Sequence, residues 1–189
     1  FRNPTAWLLQ DRLGVSLIER DEALEDREPI ELNALERWKV GNDDLDRQLE
    51  GVGVEEAWAA ARAAGSLPLG TPGRCLFDDV ARVVDPLRDA IAELQVGEQR
   101  SVGVDLHIPH VGGETRVLGR IRDVWTSGLI VHQYSRVSAH HQLALWLRHL
   151  VLHLADPGQY AGQAHLVGRG YAGVQRETLC RIEDLSAFD

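Results

Sequence analysis

Apolar residues at three- and four-residue spacing (Leu76, Val80, Val83, Leu87, Ile91, Leu94) predict one long helix over about 74–95. Two shorter helices are expected before it, over 31–50 and 54–64, the second Ala-rich and stopped by Gly65. Nearer the start, Asn3 is a good N-cap and Pro4 a good first helical residue. A helix carrying Trp7, Leu8, Leu9 and Leu13 is therefore expected to run to Gly14. Residues 66–73, Ser-Leu-Pro-Leu-Gly-Thr-Pro-Gly, read as a rigid turn-rich connector. It divides the chain into a helical segment, 1–65, and a following α/β core, 66–189, within a single structural domain.

After Gly97 the period changes from helical to alternating. Val102, Val104, Leu106 and Ile108 predict a strand, Gly112-Gly113 a hairpin turn, and Val117 to Asp123 a second strand. Ser127-Gly128 turns the chain into a third strand, Leu129 to Tyr134. Ser138 then caps a helix to about Ala155 that is apolar on most sides, from which a central position is expected. Asp156-Pro157-Gly158 ends that helix, and Ala164 to Val167 forms a short fourth strand. The order helix, three strands, helix, strand gives an α/β (α+β) fold, with helices packed on a mixed sheet.

Composition narrows the class. With 44% apolar and 26% charged residues, the 189-residue chain is expected to be soluble and to bury a real core. No apolar run approaches the roughly 18 residues of a membrane span. Nineteen of the basic residues are arginine, Lys39 is the one lysine, and methionine is absent, so a segment of a larger protein is expected. Cys75 and Cys180 have no metal-ligand spacing and read as two buried thiols, as in a reducing compartment.

Charge changes the picture more than its total of −9 suggests. Residues 19–56 carry fourteen carboxylates and five basic groups, whereas 100–176 carry eight arginines and four carboxylates. The acidic part would repel nucleic acid, while the basic part can hold phosphates or an acidic partner face if its arginines cluster in space.

Individual motifs mostly exclude chemistry. His149 and His153 have the i,i+4 spacing of a zinc helix, but no Glu follows His149, and they read as surface or interface histidines. His107 and His110 read as loop residues flanking Pro109. There is no G-x-S-x-G and no phosphate-binding Walker loop. No cofactor is expected.

Asn3-Pro4 through Gly14 resembles the opening helix of RecB/AddB-type nuclease domains. Leu67-Pro68-Leu69-Gly70 with Gly73, Val102 to Ile108, Gly119-Arg120-Ile121, and Leu145-Trp146-Leu147-Arg148-His149-Leu150-Val151 resemble the C-terminal domain of the exodeoxyribonuclease V gamma subunit family, RecC. The resemblance covers nearly the whole chain and weakens beyond Tyr160. It implies a PD-(D/E)xK nuclease-like core without a working centre. Such a centre needs carboxylates for a divalent metal and a lysine for the attacking water. The positions that would supply it hold Phe77, Arg122, His132 and Tyr134. Asp123 lies one residue beyond Arg122, a step that turns a side chain to the other face of a regular strand.

The resemblance further implies a cytoplasmic helicase/nuclease, an ATP-dependent exodeoxyribonuclease that repairs double-strand breaks by recombination, with Chi recognition assigned to other regions of the subunit. RecB-type and RecD-type subunits and a double-stranded DNA end or fork are the implied partners. Arg116, Arg120, Arg122, Trp125, Arg136 and Tyr160 are candidate DNA or partner contacts, with Trp125 and the 156–162 loop as candidates for a strand-splitting pin. For the arginines an internal role also stays open, with Arg122 pairing to Asp123, Asp105 or a helix C-terminus. Two readings stand beside this one: an active metal-dependent nuclease with migrated ligands, and a pure protein-interaction module.

Overall fold

The structure, a computed structural model, describes residues 31–182. The helix expected over Asn3 to Gly14 lies outside them. Helix α1 spans Ala34–Leu49, and Asn33 starts it with a capping box. The Asn33 side-chain oxygen accepts the N–H groups of Leu35 and Glu36, both at 2.9 Å, and the Glu36 carboxylate accepts the Asn33 N–H at 2.8 Å. Helix α2, Val54–Ala63, and helix α3, Gly70–Ala92, follow.

The long helix thus starts four residues before its expected first turn, inside the supposed connector. Pro72 is no obstacle there, because the first turn of a helix has no intrahelical acceptor for its N–H groups. Gly73 is required for packing. A Cβ at this position would overlap the backbone of Pro68, which folds back over the first turn of α3.

Strands β1 (Arg100–His110), β2 (Gly113–Trp125) and β3 (Gly128–Arg136) come next. Helix α4 is Ala139–Ala155, followed by β4 (Ala164–Arg169) and β5 (Val174–Leu179). His107 and His110 lie in β1, not in a loop. The five strands are ordered β1-β2-β3-β4-β5, with β3 and β4 parallel and the other neighbours antiparallel. The chain order from α3 through β4 is the expected one. β5 is an addition, and it makes the mixed sheet five-stranded.

Two cores cover the two faces of β3 and β4. Ile130, Tyr134 and Val167 join α1, α2 and α3 in one, through Leu45, Ala57, Phe77, Val84 and Ile91. Leu129, Ala164 and Leu166 join α4 in the other, through Leu145 and Leu152. Helix α4 is not central, since Leu143, Trp146, Leu147 and Leu154 are exposed. Cys75 and Cys180 are exposed free thiols, not buried ones, because each falls on the outer side of its segment.

Where α1 crosses β3, Gly41 lies directly on the Tyr134 ring, and a Cβ at Gly41 would overlap that ring. Tyr134 is fully enclosed and cannot move aside. Gly41→Ala is therefore expected to lower stability by about 1–3 kcal/mol through overpacking, despite the better helix propensity of Ala. Gly53→Ala, where nothing lies within 4 Å of the added carbon, is the control. Urea unfolding of the two variants checks the difference.

Candidate functional site

The long hairpin of β1 and β2 is the first feature that the sheet does not explain. The two strands pair from Arg100↔Val124 to His110↔Gly113, yet β2 pairs with β3 only at Val124↔Leu129 and Trp125↔Gly128. From about residue 105 to residue 116 the hairpin is solvent-exposed on nearly every side, and Val111 stands at its tip. An isolated two-stranded ribbon is marginal in water, so it needs cross-strand pairs. Arg116 supplies one as a fork onto Asp105, through Nε at 2.8 Å and Nη2 at 2.7 Å. The guanidinium holds the Asp105 carboxyl below its ordinary value. His107 Nδ1 lies 3.1 Å from Glu114, and His110 accepts the Gly112 N–H at 3.1 Å. Arg116 thus braces the arm.

At the base of the arm the pairing slips. Val102 faces Ile121 and Arg100 faces Val124, so Arg122 and Asp123 together oppose Ser101. Asp123 takes φ +62°, a left-handed conformation that Asp tolerates better than most residues. The alternation expected of a regular strand is broken at this point. Arg122 and Asp123 both stand exposed, and Ile121 and Val124 both turn toward the α4 core. Asp123 accepts the Gln99 amide at 2.8 Å. Neither Asp123 nor Asp105 forms an ion pair with Arg122.

Arg120, Arg122 and Asp123 line an open cleft of about 250 Å³ together with Arg148 of α4. Among the described residues, none of these three arginines has a carboxylate partner within ion-pair distance. Three guanidiniums against one carboxylate give a local positive surface fit for phosphate or an acidic protein face. Arg148 was not among the candidate residues, because its place in the cleft depends on how α4 packs. Arg136 does not join this group. It ends β3 beside a separate cleft with Arg82 and Arg169.

Of the positions that would carry metal chemistry, Phe77 and Tyr134 are built into the core, Arg122 is exposed and His132 is half-buried. Phe77 is fully buried and meets the Trp58 ring at 5.6 Å, and Tyr134 lies under Gly41. His132 Nε2 is 3.4 Å from Asp46 of α1. Among the described residues no three His, Cys, Asp or Glu side chains converge as a metal ligand set. Phe77, Arg122 and Tyr134 offer no carboxylate for the divalent ion that a working centre of a nuclease-like fold needs.

The family pattern of the RecC C-terminal domain matches residues 1–183. The chain belongs to the RecC C-terminal domain family. It is 27% identical over 149 residues to RecBCD enzyme subunit RecC of Escherichia coli strain K12, covering 79% of this chain and 13% of that protein. To RecBCD enzyme subunit RecC of Mycolicibacterium smegmatis it is 29% identical over 177 residues, 89% of this chain and 15% of the relative. To the subunit of Mycobacterium tuberculosis H37Rv it is 27% identical over 143 residues, 73% and 12% of the two lengths. The chain thus spans well under a fifth of the curated relatives it matches.

Four further residues of this RecC-family chain sit differently from expectation. Trp125 is half-buried against the α1–α3 core. Tyr160 is buried, and its hydroxyl donates to the Gln163 carbonyl at 2.7 Å while lying 2.7 Å from His149 Nδ1. The 156–162 loop therefore uses its aromatic residue internally. His149 and His153 are not surface residues. They pack edge to face at 4.6 Å, and His149 Nε2 donates to the Cys180 carbonyl at 2.9 Å. A carbonyl only accepts, so Nε2 carries a proton. The histidines thus tie α4 to the loop before β4 and to the chain beyond β5.

Burial lowers the pKa of His149, His153 and His165 below the ordinary 6.5. A neighbouring His149 and Arg181 add to the effect at His153, and Arg176 adds at His165. The folded state then binds fewer protons than the unfolded state once pH falls below about 6.5, so stability declines with acidification through that range. The thermal midpoint is expected to drop between pH 7.5 and 5.5. A flat profile would show that these imidazoles titrate equally in both states.

Proposed function

We propose that this chain is a non-catalytic, nuclease-like domain of a RecC-type subunit that helps to bind and split a DNA end and to pack the RecBCD-type assembly. The observation that carries this reading is the β1–β2 arm, a braced hairpin that leaves the sheet with an apolar tip at Val111. A stiff projection ending in an apolar side chain can enter between strands, where it replaces a base stack. The arm is a better candidate for a pin than the buried Tyr160 or the half-buried Trp125. At its base, Arg120, Arg122 and Arg148 offer guanidiniums to phosphates beside the point of strand separation.

The PD-(D/E)xK-like assignment rests on the order of elements and on the family. Loss of chemistry is supported by what replaces it, since Phe77 and Tyr134 are core aromatics and Arg122 stands on a bulge. The exposed face of α4, with Leu143, Trp146, Leu147 and Leu154 at helical spacing, supports packing against a RecB-type or RecD-type subunit. A cytoplasmic complex is the setting in which these roles combine.

Replacing residues 107–115 by a short turn, in the assembled complex, is expected to cut unwinding of blunt duplex ends at least tenfold. ATP hydrolysis on single-stranded DNA should continue. In the same assay Arg120→Glu with Arg122→Glu should lower the slope of log affinity against log salt by about one per arginine. Unwinding and salt slope that match the unaltered complex would sink the reading.

The chain incubated with linear DNA and Mg²⁺ or Mn²⁺ should give no cleavage above a metal-free control. Cleavage that disappears on Asp123→Asn would instead establish an active site with migrated ligands.

A further inference from the structure

A second cleft, sharing no residue with the first, lies where the parallel strands β3 and β4 end. Arg136 and Arg169 face each other in register across that pair, and Arg82 of α3 joins them around about 250 Å³ of space floored by Pro86 and Val174. The C-terminal ends of parallel strands are where open α/β sheets commonly receive ligands.

Arg82 is paired with Asp79 of its own helix. Arg136 and Arg169 have no carboxylate partner among the described residues and lie instead over aromatic rings. The Arg169 guanidinium carbon is 5.1 Å from the Tyr134 ring centre, and that of Arg136 is 5.3 Å from the Tyr171 ring centre. Two like charges brought together without a counter-charge oppose each other, and an anion would relieve this.

Tyr171 indicates what else the anion carries. It stands on the turn between β4 and β5, which the Gly170 N–H closes by donating to the Gly173 carbonyl at 2.6 Å. Tyr171 is 95% exposed although it borders an apolar floor. A carboxylate or free phosphate would need only the guanidiniums. An exposed aromatic ring on a hydrogen-bonded turn beside them is a stacking surface for a planar base.

We propose that this cleft is a nucleotide site, with the phosphate held by Arg136 and Arg169 and the base stacked on Tyr171. The volume agrees with partial enclosure. Sites that surround a whole ligand run to roughly 300–1,000 Å³, so this one takes the phosphate and leaves the base outside, on the tyrosine. The same chemistry is offered by a free nucleotide and by one residue of a single strand. The site stands independently of the arm and of Arg120, Arg122 and Arg148.

The test is photocross-linking in the assembled complex, read by mass spectrometry at the peptide containing Tyr171, because other subunits of such a complex also meet nucleotides. Two probes are used, a single-stranded oligonucleotide carrying 4-thiothymidine and 4-thiothymidine monophosphate. Labelling of this peptide is expected to fall at least tenfold in Arg136→Glu and in Arg169→Glu, with thermal midpoints reported for both. Arg136→Lys, which keeps the charge, should retain more than half of it. Labelling by the oligonucleotide that the monophosphate does not compete away identifies a strand as the ligand. Labelling by the monophosphate alone identifies a free nucleotide. No labelling of the peptide by either probe, or labelling indifferent to Arg136→Glu in a folded variant, overturns the site.

Discussion

The parallel pair β3–β4 has to be covered on both faces, and the rest of the fold follows from how that is done. Parallel strands joined by a crossover helix bury both sides. Here the two sides are covered differently, by α4 on one and by α1, α2 and α3 on the other. The second cover depends on Tyr134 and Gly41, because a backbone-to-ring contact lets α1 come closer to the sheet than side chains would allow. With β4 on one edge of β3, the other edge is used by β2 at only two positions. That sparing use frees the β1–β2 arm to leave the sheet.

Much of this was legible in the sequence because it rests on period. The spacing from Leu76 to Leu94 and the alternation from Val102 onward specified elements that the structure contains. β5 was not legible. Val174-Gln-Arg-Glu-Thr-Leu179 is mostly polar, and even its inward positions are only half-buried, so no apolar alternation marks it. The start of α3 was obscured by Gly and Pro. These usually punctuate a chain, but here they serve the first turn of a helix and a close return of the backbone.

The site was legible in kind and not in place. The surplus of arginine over residues 100–176 is evident from a count, but the structure sorts six of those eight arginines into three settings, while Arg100 and Arg176 pair with Asp156 and Glu93. Arg116 is paired across the arm, Arg120 and Arg122 meet Arg148, and Arg136 meets Arg82 and Arg169. Local spacing does not encode that sorting, because it depends on contacts between α4 and β2 and between α3 and β4. Asp123 shows the same limit. Its left-handed backbone breaks the two-residue alternation, and no glycine announces the break. The histidines erred in the opposite direction, since i,i+4 spacing suggests ligands or surface while their burial makes them struts between α4 and the chain end.

The arm has one more consequence, for solubility. Among the described residues β1 is the outermost strand along its whole length, and β2 lacks a second neighbour from Gly113 to Asp123, so both present open backbone hydrogen-bonding groups. Such edges invite another chain to add a strand. Pro109 interrupts the donor row of β1, and Asp105, Glu114, Arg116, Arg120 and Arg122 place charge along both strands. These residues therefore act as gatekeepers against self-association, whatever else they touch. The arm can remain long and open because its sequence makes pairing with a copy of itself unfavourable.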